Sequence, residues 1–316
     1  MAFQVNVTGE EGLTKVFLTD NSSGCIAEVY AFGAVLNSFS VPLNQERINV
    51  IDGYITVEEA HETMTAFFKS SKLSPFACRV KNALYHFGEN SYHLTKFSMG
   101  SSAIHGLIFD AVFSVVEQTS NENEACVKLQ YVYDNESEGY PFTYRCEVEY
   151  KLTANCSLTI TTTITNIDQQ LMPVADGWHP YFTLGDIIDE CQLEFQSKEM
   201  LEFSEELIPT GKLIRYQEFG SIKNIDTASL DNCFTVNFAE CQPLCVFRNP
   251  KKKIQVEIYP STAYPYLQIF TPVHRKSIAI ENLSAAPDAF NNGIGLKVIE
   301  PDESVSFTTK FVIRPL

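Results

Sequence analysis

The chain has 316 residues, 45% of them hydrophobic, with a formal net charge of -16 and a pI of about 4.8. Such a hydrophobic content can supply a sizeable core, and a chain of this length can fold as two domains or as one large β-sandwich. The acidic balance excludes a nucleic-acid partner held by its phosphates and disfavours an anionic membrane surface, because like charges repel.

No targeting or membrane segment is predicted. Residues 1–7 alternate polar and apolar side chains, which is typical of a first strand and not of a leader peptide. No apolar run approaches the roughly 20 residues of a membrane helix. The nine cysteines are scattered, and no histidine or further cysteine pair accompanies Cys241 and Cys245 to complete a zinc pattern. We therefore expect a cytoplasmic protein with reduced thiols, no structural metal and no cofactor.

Strand-like alternation dominates the chain. Residues 128–133, 143–150 and 157–164 alternate polar with β-branched or aromatic side chains, as half-buried strands do. Turn-forming clusters such as 134–139 and 249–252 separate these runs. The pattern predicts an all-β fold, a large antiparallel sandwich formed by one domain spanning residues 1–316.

Two shorter segments have their own patterns. In residues 57–68, apolar side chains recur with helical spacing, which predicts a short helix with His61 facing solvent. Residues 84–94 surround Gly88 and predict a hairpin with a glycine turn. His86 and His93 in that hairpin, and His274 in a charged turn, are expected to be structural or surface residues.

Two other histidines lie where strands are expected to end. His179 stands between Trp178 and Pro180, at a predicted break in a strand, and such positions often present functional groups. His105 precedes Gly106, a residue that permits close backbone approach or unusual dihedral angles. Either histidine alone is as compatible with a structural role as with a catalytic one.

Three charged residues stand next to apolar runs. Glu281 ends such a run, where a carboxylate is costly unless it is paired or used. Asp231 has a similar setting, although an Asx turn before a strand explains it equally well. Arg79 lies within an apolar run and needs acceptors, either a structural carboxylate or the oxygens of a ligand.

Together these residue types suit proton transfer on a sugar. Two imidazoles and a carboxylate offer candidate acids and a base, and the rings of Trp178 and Tyr181 offer apolar faces for the C–H bonds of a sugar. The aromatic residues fit core packing as well, so the order of the motifs along the chain has to be considered.

In that order, the motifs resemble those of the aldose 1-epimerase (galactose mutarotase) family. The resemblance extends from about residue 1 to the C-terminus. It is carried by an arginine motif, two histidine motifs, an aspartate motif, a glutamate motif and a closing segment, at residues 76–83, 103–106, 178–184, 230–234, 278–281 with 286–291, and 299–304.

The resemblance implies a β-supersandwich and interconversion of the α and β anomers of an aldohexose. We expect the protein to be a monomer or homodimer. Glu281 would be the general base and His179 the general acid, while His105 would hydrogen-bond near the ring oxygen. The substrate would be bound by Arg79, Asp231, Trp178 and Tyr181. The family usually has asparagine at position 78 and glycine at 107, and many members have asparagine at 178, so Cys78, Leu107 and Trp178 are departures that bear on substrate identity.

Three other functions stay open. A hexose-6-phosphate epimerase would need a cluster of basic side chains, which the scattered Lys81, Arg215, Arg248 and Arg275 do not indicate. A non-catalytic sugar-binding protein would not need the acid–base pair. A glycosidase would use Asp231 and Glu281 as its two carboxyl groups.

Overall fold

The computed structural model describes residues 1–134, 139–185 and 187–316, so most of the predicted turn at 134–139 lies outside the described residues. The first third of the chain contains β1 (Phe3–Thr8), β2 (Lys15–Asp20), β3 (Cys25–Tyr30), β4 (Leu36–Leu43), β5 (Glu46–Asn49), α1 (Val57–Phe67), β6 (Lys72–Leu73), β7 (Arg79–Val80), β8 (Leu84–Phe87), β9 (Asn90–His93), β10 (Ser98–Met99) and β11 (Ser102–Ile104).

The regular elements in the rest of the described chain are almost all strands. They are β12 (Ser114–Ser120), β13 (Glu124–Asp134), β14 (Thr143–Thr153), β15 (Ser157–Asn166), β16 (Met172–Val174), β17 (Gly177–Trp178), β18 (Tyr181–Phe182), β19 (Gln192–Phe195), β20 (Glu199–Phe203), β21 (Pro209–Arg215), β22 (Lys223–Asn224), β23 (Asp231–Thr235), β24 (Cys245–Asn249), β25 (Ile254–Pro260), β26 (Tyr266–Phe270), β27 (Ile278–Leu283), β28 (Lys297–Ile299) and β29 (Ser304–Pro315), with a short helix α2 (Ala289–Asn292) before β28. Single 3₁₀ turns occupy Lys81–Ala83 and Ile188–Glu190.

The largest sheet of the described chain has nine strands in the order β12-β13-β14-β15-β29-β25-β24-β19-β22, all paired antiparallel. Along β14 the buried side chains alternate with half-buried ones, because successive residues of a strand point to opposite faces. Tyr144, Val148 and Tyr150 face inward and are buried. The predicted antiparallel all-β architecture is confirmed.

The N-terminal strands β1 to β5 form a second antiparallel sheet that packs on the first. Alternate residues of β2, such as Val16 and Leu18, are fully buried between the two layers. The Tyr150 hydroxyl on β14 donates a 2.6 Å hydrogen bond to the carbonyl of Ala34, which follows β3. The core between the layers thus combines aliphatic burial with a satisfied polar contact.

The third large sheet carries most of the polar residues discussed below. Its order is β21-β20-β23-β26-β27-β17-β6, and β18 also pairs with β27. Strand β27 is buried along its whole length, so both of its faces are covered. On one face, Asn282 accepts a 2.7 Å hydrogen bond from Thr309 of β29. Glu281, the preceding residue, therefore points to the opposite side, away from the nine-stranded sheet.

Helix α1 matches its sequence prediction to within one residue. The Thr56 hydroxyl caps its N-terminus, and the helix ends at Phe68 because that residue adopts a left-handed conformation (φ 54°). His61 is exposed as predicted, with its ring stacked on Phe32 at 3.8 Å. The predicted hairpin at 84–94 is confirmed as β8 and β9. Within the described residues, no helix has both the length and the apolarity to cross a membrane.

Candidate active site

Glu281 lies at the bottom of a pocket on the outer face of the third sheet. Its residue is 2% exposed, and its register partner on β26 is Gln268. The Gln268 amide nitrogen donates a 2.9 Å hydrogen bond to Asp231 on β23, which extends the polar row to a third strand. Cross-strand pairing therefore explains why residues far apart in sequence share this surface.

His179 follows β17 directly, and two backbone hydrogen bonds fix its position. Its N–H donates to the Ser71 carbonyl at 3.2 Å, and its carbonyl accepts from the Ser70 N–H at 2.9 Å. These bonds place the imidazole Nε2 3.4 Å from Oε1 of Glu281, with the two side chains 7% and 2% exposed. A carboxyl group and an imidazole thus face each other in a nearly dry environment.

His105 joins them from the end of β11. Its backbone is left-handed (φ 64°), and its N–H donates to the Cys78 carbonyl at 2.9 Å. Gly106 follows with φ 82°, and a Cβ at this position would lie 2.3 Å from the Ser74 carbonyl oxygen. The expected close backbone approach at Gly106 is confirmed. It brings the His105 ring edge-on to His179 with a centroid distance of 5.0 Å.

Arg79, Asp231 and the ring of Tyr181 line the same pocket. Arg79 is half-buried, and its guanidinium has only a weak 3.8 Å contact with the sulfur of Met99. No ion pair forms at Arg79 within the described ranges. The Tyr181 ring stacks on His179 with centroids 5.0 Å apart. A cation and a carboxylate thus remain available to the oxygens and hydroxyls of a ligand.

The pocket has a volume of about 630 Å³, within the range of small-molecule sites. Several buried polar atoms in it lack a hydrogen-bond partner in the described protein. These atoms are Nδ1 of His105, Nδ1 of His179, Oε1 of Gln268 and Oε2 of Glu281. Buried polar groups are seldom left unsatisfied, so a cluster of them in one cavity indicates a polar ligand.

Burial also shifts the titration of this pair. It raises the pKa of Glu281 well above its usual value, and the nearby Asp231 carboxylate adds to this. Burial lowers the pKa of His179 to about 4. Burial, together with His179 and Arg79, holds the pKa of His105 well below its usual value. The pKa of Asp231 is raised by its partial burial, against the opposing charge of Arg79 and the hydrogen bond from Gln268.

Trp178 requires a correction, because the structure does not bring it to the pocket with the other predicted site residues. Its side chain is 3% exposed and points into the core, since β17 alternates and His179 takes the opposite side. The indole Nε1 donates to Thr162 Oγ1 at 3.3 Å, and Nζ of Lys72 lies 4.5 Å from the ring. Core packing thus replaces substrate contact as the role of Trp178.

Sequence reasoning missed Gln268 and the apolar side chains around the mouth of the pocket, such as Phe67, Met99 and Val273. Only the strand register, which places Gln268 opposite Glu281, identifies that glutamine. Cys78, where the family usually has asparagine, lines the pocket. Its backbone is left-handed (φ 53°), a conformation that asparagine adopts more easily than cysteine. Across the described residues, no cluster of three or more His, Cys, Asp or Glu side chains is arranged to hold a metal ion.

Comparison with known proteins places the chain in a family. Residues 15–312 match the family model described as aldose 1-epimerase. The chain belongs to the aldose 1-epimerase family. An aldose 1-epimerase of Streptococcus thermophilus is 24% identical over 92% of each chain. The uncharacterized protein YihR of Escherichia coli K12 is 25% identical over 78% of this chain and 80% of its own length.

Solved structures of similar proteins share the fold of this family member. A galactose mutarotase-like protein from Clostridium acetobutylicum superposes with a TM-score of 0.86 at 16% identity, over 100% of this chain and 99% of its own. A galactose 1-epimerase from Lactobacillus acidophilus gives 0.83 at 18% identity, over 99% of each. The galactose mutarotase-like β-supersandwich expected from the sequence is thereby confirmed.

Proposed function

We propose that this protein is an aldose 1-epimerase that interconverts the α and β anomers of a free aldose. The observation that carries the proposal is the buried pair of Glu281 and His179, with Nε2 and Oε1 3.4 Å apart in a pocket that has unsatisfied polar atoms. Opening a hemiacetal needs one proton removed and another delivered, and a facing base and acid supply both.

In the proposed mechanism, the Glu281 carboxylate removes the proton of the C1 hydroxyl, while the His179 imidazolium protonates the ring oxygen. The C1–O5 bond breaks, the electron pair of the O1–H bond completes the carbonyl, and the open-chain aldehyde rotates about C1–C2. Closure on the other face of the carbonyl returns both protons. Each turnover leaves the enzyme as it began.

The shifted pKa values are compatible with this cycle. Burial favours the uncharged pair, in which Glu281 is protonated and His179 is neutral. The charged pair holds the same number of protons and differs by one proton transfer between the two side chains. A bound sugar offers hydroxyl groups that stabilise the charged pair, so both states are visited during ring opening and closure.

The other site residues have supporting roles in this proposal. Burial lowers the pKa of both histidines, but it is His179 that faces the Glu281 carboxyl and can exchange a proton with it, so His105 acts as a hydrogen-bond partner of the ring oxygen and not as the acid. Arg79 and Asp231 bind sugar hydroxyls, and Tyr181 presents its ring. Arg79 is the single arginine or lysine that lines the pocket in the described chain, which disfavours a phosphorylated sugar.

Polarimetry of freshly dissolved α-D-glucose and α-D-galactose tests the proposal. We expect a faster approach to the equilibrium rotation, and its loss in Glu281→Gln. A protein that binds these sugars in calorimetry without accelerating mutarotation would instead be a binding protein. Hydrolysis of a nitrophenyl glycoside would contradict the proposal in favour of a glycosidase.

A further inference from the structure

The 3.4 Å separation of Glu281 and His179 depends on how three segments of the chain meet. Glu281 lies on β27, and β18, which follows His179, pairs with that strand. On its other side, His179 is bound by the backbone of Ser70 and Ser71, in the segment after α1. The relative position of the carboxyl and the imidazole is therefore set by the segment after α1, the start of β27 and β18.

Asp52, between β5 and α1, contacts all three segments from outside the pocket. Its Oδ1 accepts a 2.7 Å hydrogen bond from Nζ of Lys69, and its Oδ2 accepts one of 2.7 Å from the hydroxyl of Ser277. Its backbone N–H donates to the Tyr181 carbonyl at 2.9 Å. One residue thus joins the segment after α1, the residue before β27 and β18.

Each of these contacts lies next to a group of the acid–base pair. Lys69 precedes Ser70, whose N–H donates to the His179 carbonyl at 2.9 Å. Ser277 directly precedes β27, the strand that carries the proposed base. The Tyr181 ring stacks on the His179 ring with centroids 5.0 Å apart. A shift at any of the three contacts would therefore change how the imidazole faces the carboxyl.

The segment after α1 has a strained backbone that an anchor would hold. Ser70 is left-handed (φ 52°), a conformation that is costly for a residue with a Cβ and that persists where surrounding contacts enforce it. Its hydroxyl oxygen is buried and has no hydrogen-bond partner in the described protein, so its own side chain supplies no such contact. The ion pair of the neighbouring Lys69 with Asp52 supplies one.

Stability alone does not account for this ion pair. The side chains of Lys69 and Asp52 are 21% and 26% exposed, and ion pairs that keep this much contact with solvent contribute little to the free energy of unfolding. Catalysis is more sensitive to geometry, since a displacement of about 1 Å can lower a rate about 10²-fold. The contacts of Asp52 are thus better matched to alignment than to stability.

We infer that Asp52 is a positioning residue of the proposed active site. By holding Lys69 and Ser277, its carboxylate sets the separation and orientation of the Glu281–His179 pair. The inference rests on the proposed epimerase function and assigns a role in it to a residue outside the pocket. Asp52 acts through its two side-chain contacts and takes no part in proton transfer.

Asp52→Ala, which removes both side-chain contacts, tests the inference by polarimetry with the better of α-D-glucose and α-D-galactose. We expect kcat to fall by about tenfold or more while KM stays within about twofold, because the sugar-binding residues are unchanged. Rates are divided by the folded fraction from circular dichroism, so that a loss of folded protein is not counted as a loss of kcat. Asp52→Asn can still accept from Lys69 and donate to the Ser277 hydroxyl, so it should recover most of the lost kcat.

Ser277→Ala tests the contact with β27 separately. It removes one of the two hydrogen bonds of the Asp52 side chain, so kcat should fall by less than in Asp52→Ala. The double variant should lose less kcat than the product of the two single losses, because both changes remove the same bond. Losses that multiply fully would contradict the inference, since Ser277 would then act independently of Asp52.

Asp110→Ala is the matched control, because the Lys96–Asp110 pair also has a 2.7 Å separation, with side chains 30% and 36% exposed, and lies outside the pocket. It should leave kcat unchanged. A normal kcat in Asp52→Ala, or an effect confined to KM, would overturn the inference and leave the epimerase standing. Asp52→Asn as slow as Asp52→Ala would also overturn it, since the charge and not the contacts would then matter. Absence of mutarotation in the wild type would overturn the proposed function and this inference with it.

Discussion

Two buried acid–base pairs lie on the same sheet, and they are built in opposite ways. Lys72 on β6 and Asp176 before β17 are both 0% exposed, with Nζ and Oδ1 2.6 Å apart. Lys72 also donates to the Gly177 carbonyl at 2.7 Å, and Asp176 accepts from Tyr264 at 2.6 Å. Glu281 and His179 are separated by 3.4 Å, and each keeps a buried atom without a partner.

The difference separates structural burial from functional burial. In the Lys72–Asp176 pair, Oδ1 of Asp176 has Lys72 as its ion-pair partner and Oδ2 accepts from Tyr264, so the pair stays fixed. It joins β6 and β17 to the segment after β27, because the Ser284 N–H donates to the Asp176 carbonyl at 2.8 Å and the Asp176 N–H donates to the Ser284 hydroxyl at 2.7 Å. The Glu281–His179 pair leaves its remaining atoms for a ligand. We expect changes to the first pair to affect stability and changes to the second to affect turnover.

Glu281→Gln should give the largest effect. Removing the base should lower the mutarotation rate by about 10²–10⁴-fold, the usual contribution of such a group. The free energy of unfolding should hold or rise, because a buried carboxyl that lacks a full set of partners is removed. Polarimetry and urea unfolding measure the two quantities. The control is Glu257→Gln, a buried carboxyl on β25 paired with Arg314 outside the pocket, which should retain turnover.

Lys72→Met should have the reverse pattern. It leaves the Asp176 charge buried without its cation, which typically costs about 3–5 kcal/mol of unfolding free energy. Adding Asp176→Asn should recover part of this loss. The folded fraction should retain turnover when assayed well below its melting temperature. Lys69→Met is the matched control, because the Lys69–Asp52 pair is 21% and 26% exposed and should contribute about 1 kcal/mol or less. Equal losses in both variants would contradict the comparison.

The pH dependence of the free energy of unfolding tests the protonation state of the Glu281–His179 pair. The pKa of Glu281 is raised above 4.5 and that of His179 is lowered from 6.5 to about 4. As the pH rises, the unfolded chain loses the proton of Glu281 and then that of His179, whereas the folded protein keeps a proton on Glu281 up to the raised pKa of that group. Stability must therefore fall as pH rises above 6.5, by up to about 1.4 kcal/mol per pH unit, until Glu281 ionises in the folded state.

Urea unfolding of the wild type and Glu281→Gln from pH 6.5 to 8.5 measures this slope. The glutamine variant has no proton to lose there, so the difference between the two proteins should grow in its favour as pH rises. Parallel curves would show that Glu281 is already ionised in the folded protein.

The sequence predicted the elements whose pattern is local. Three such patterns depend only on neighbouring residues and were therefore visible in the sequence. They are the alternation along β13 to β15, the helical spacing before Phe68 and the glycine turn in the 84–94 hairpin. Glu281, His179 and His105 were identified because family motifs surround them. Their 3.4 Å and 5.0 Å contacts depend on strand pairing that no local pattern encodes.

The features that were missed depend on contacts distant in sequence. Lys72 and Asp176 have no local signal that would pair them, since 103 residues separate the two positions. Gln268 matters because the register places it opposite Glu281. Trp178 was misassigned because β17 has only two residues, so its alternation is too short to show which of Trp178 and His179 faces the core.

Trp178→Phe should give the smallest effect and tests that correction. The change removes the hydrogen bond to Thr162 and weakens the contact with the Lys72 cation, so we expect a loss of about 1–2 kcal/mol in unfolding free energy. KM and kcat for the best sugar should stay within about twofold. Tyr181→Leu is the comparison variant, since it removes a ring that lines the pocket, and it should raise KM. A raised KM in Trp178→Phe with unchanged stability would instead restore Trp178 to the sugar site, and the core contacts of its indole would then need a different explanation.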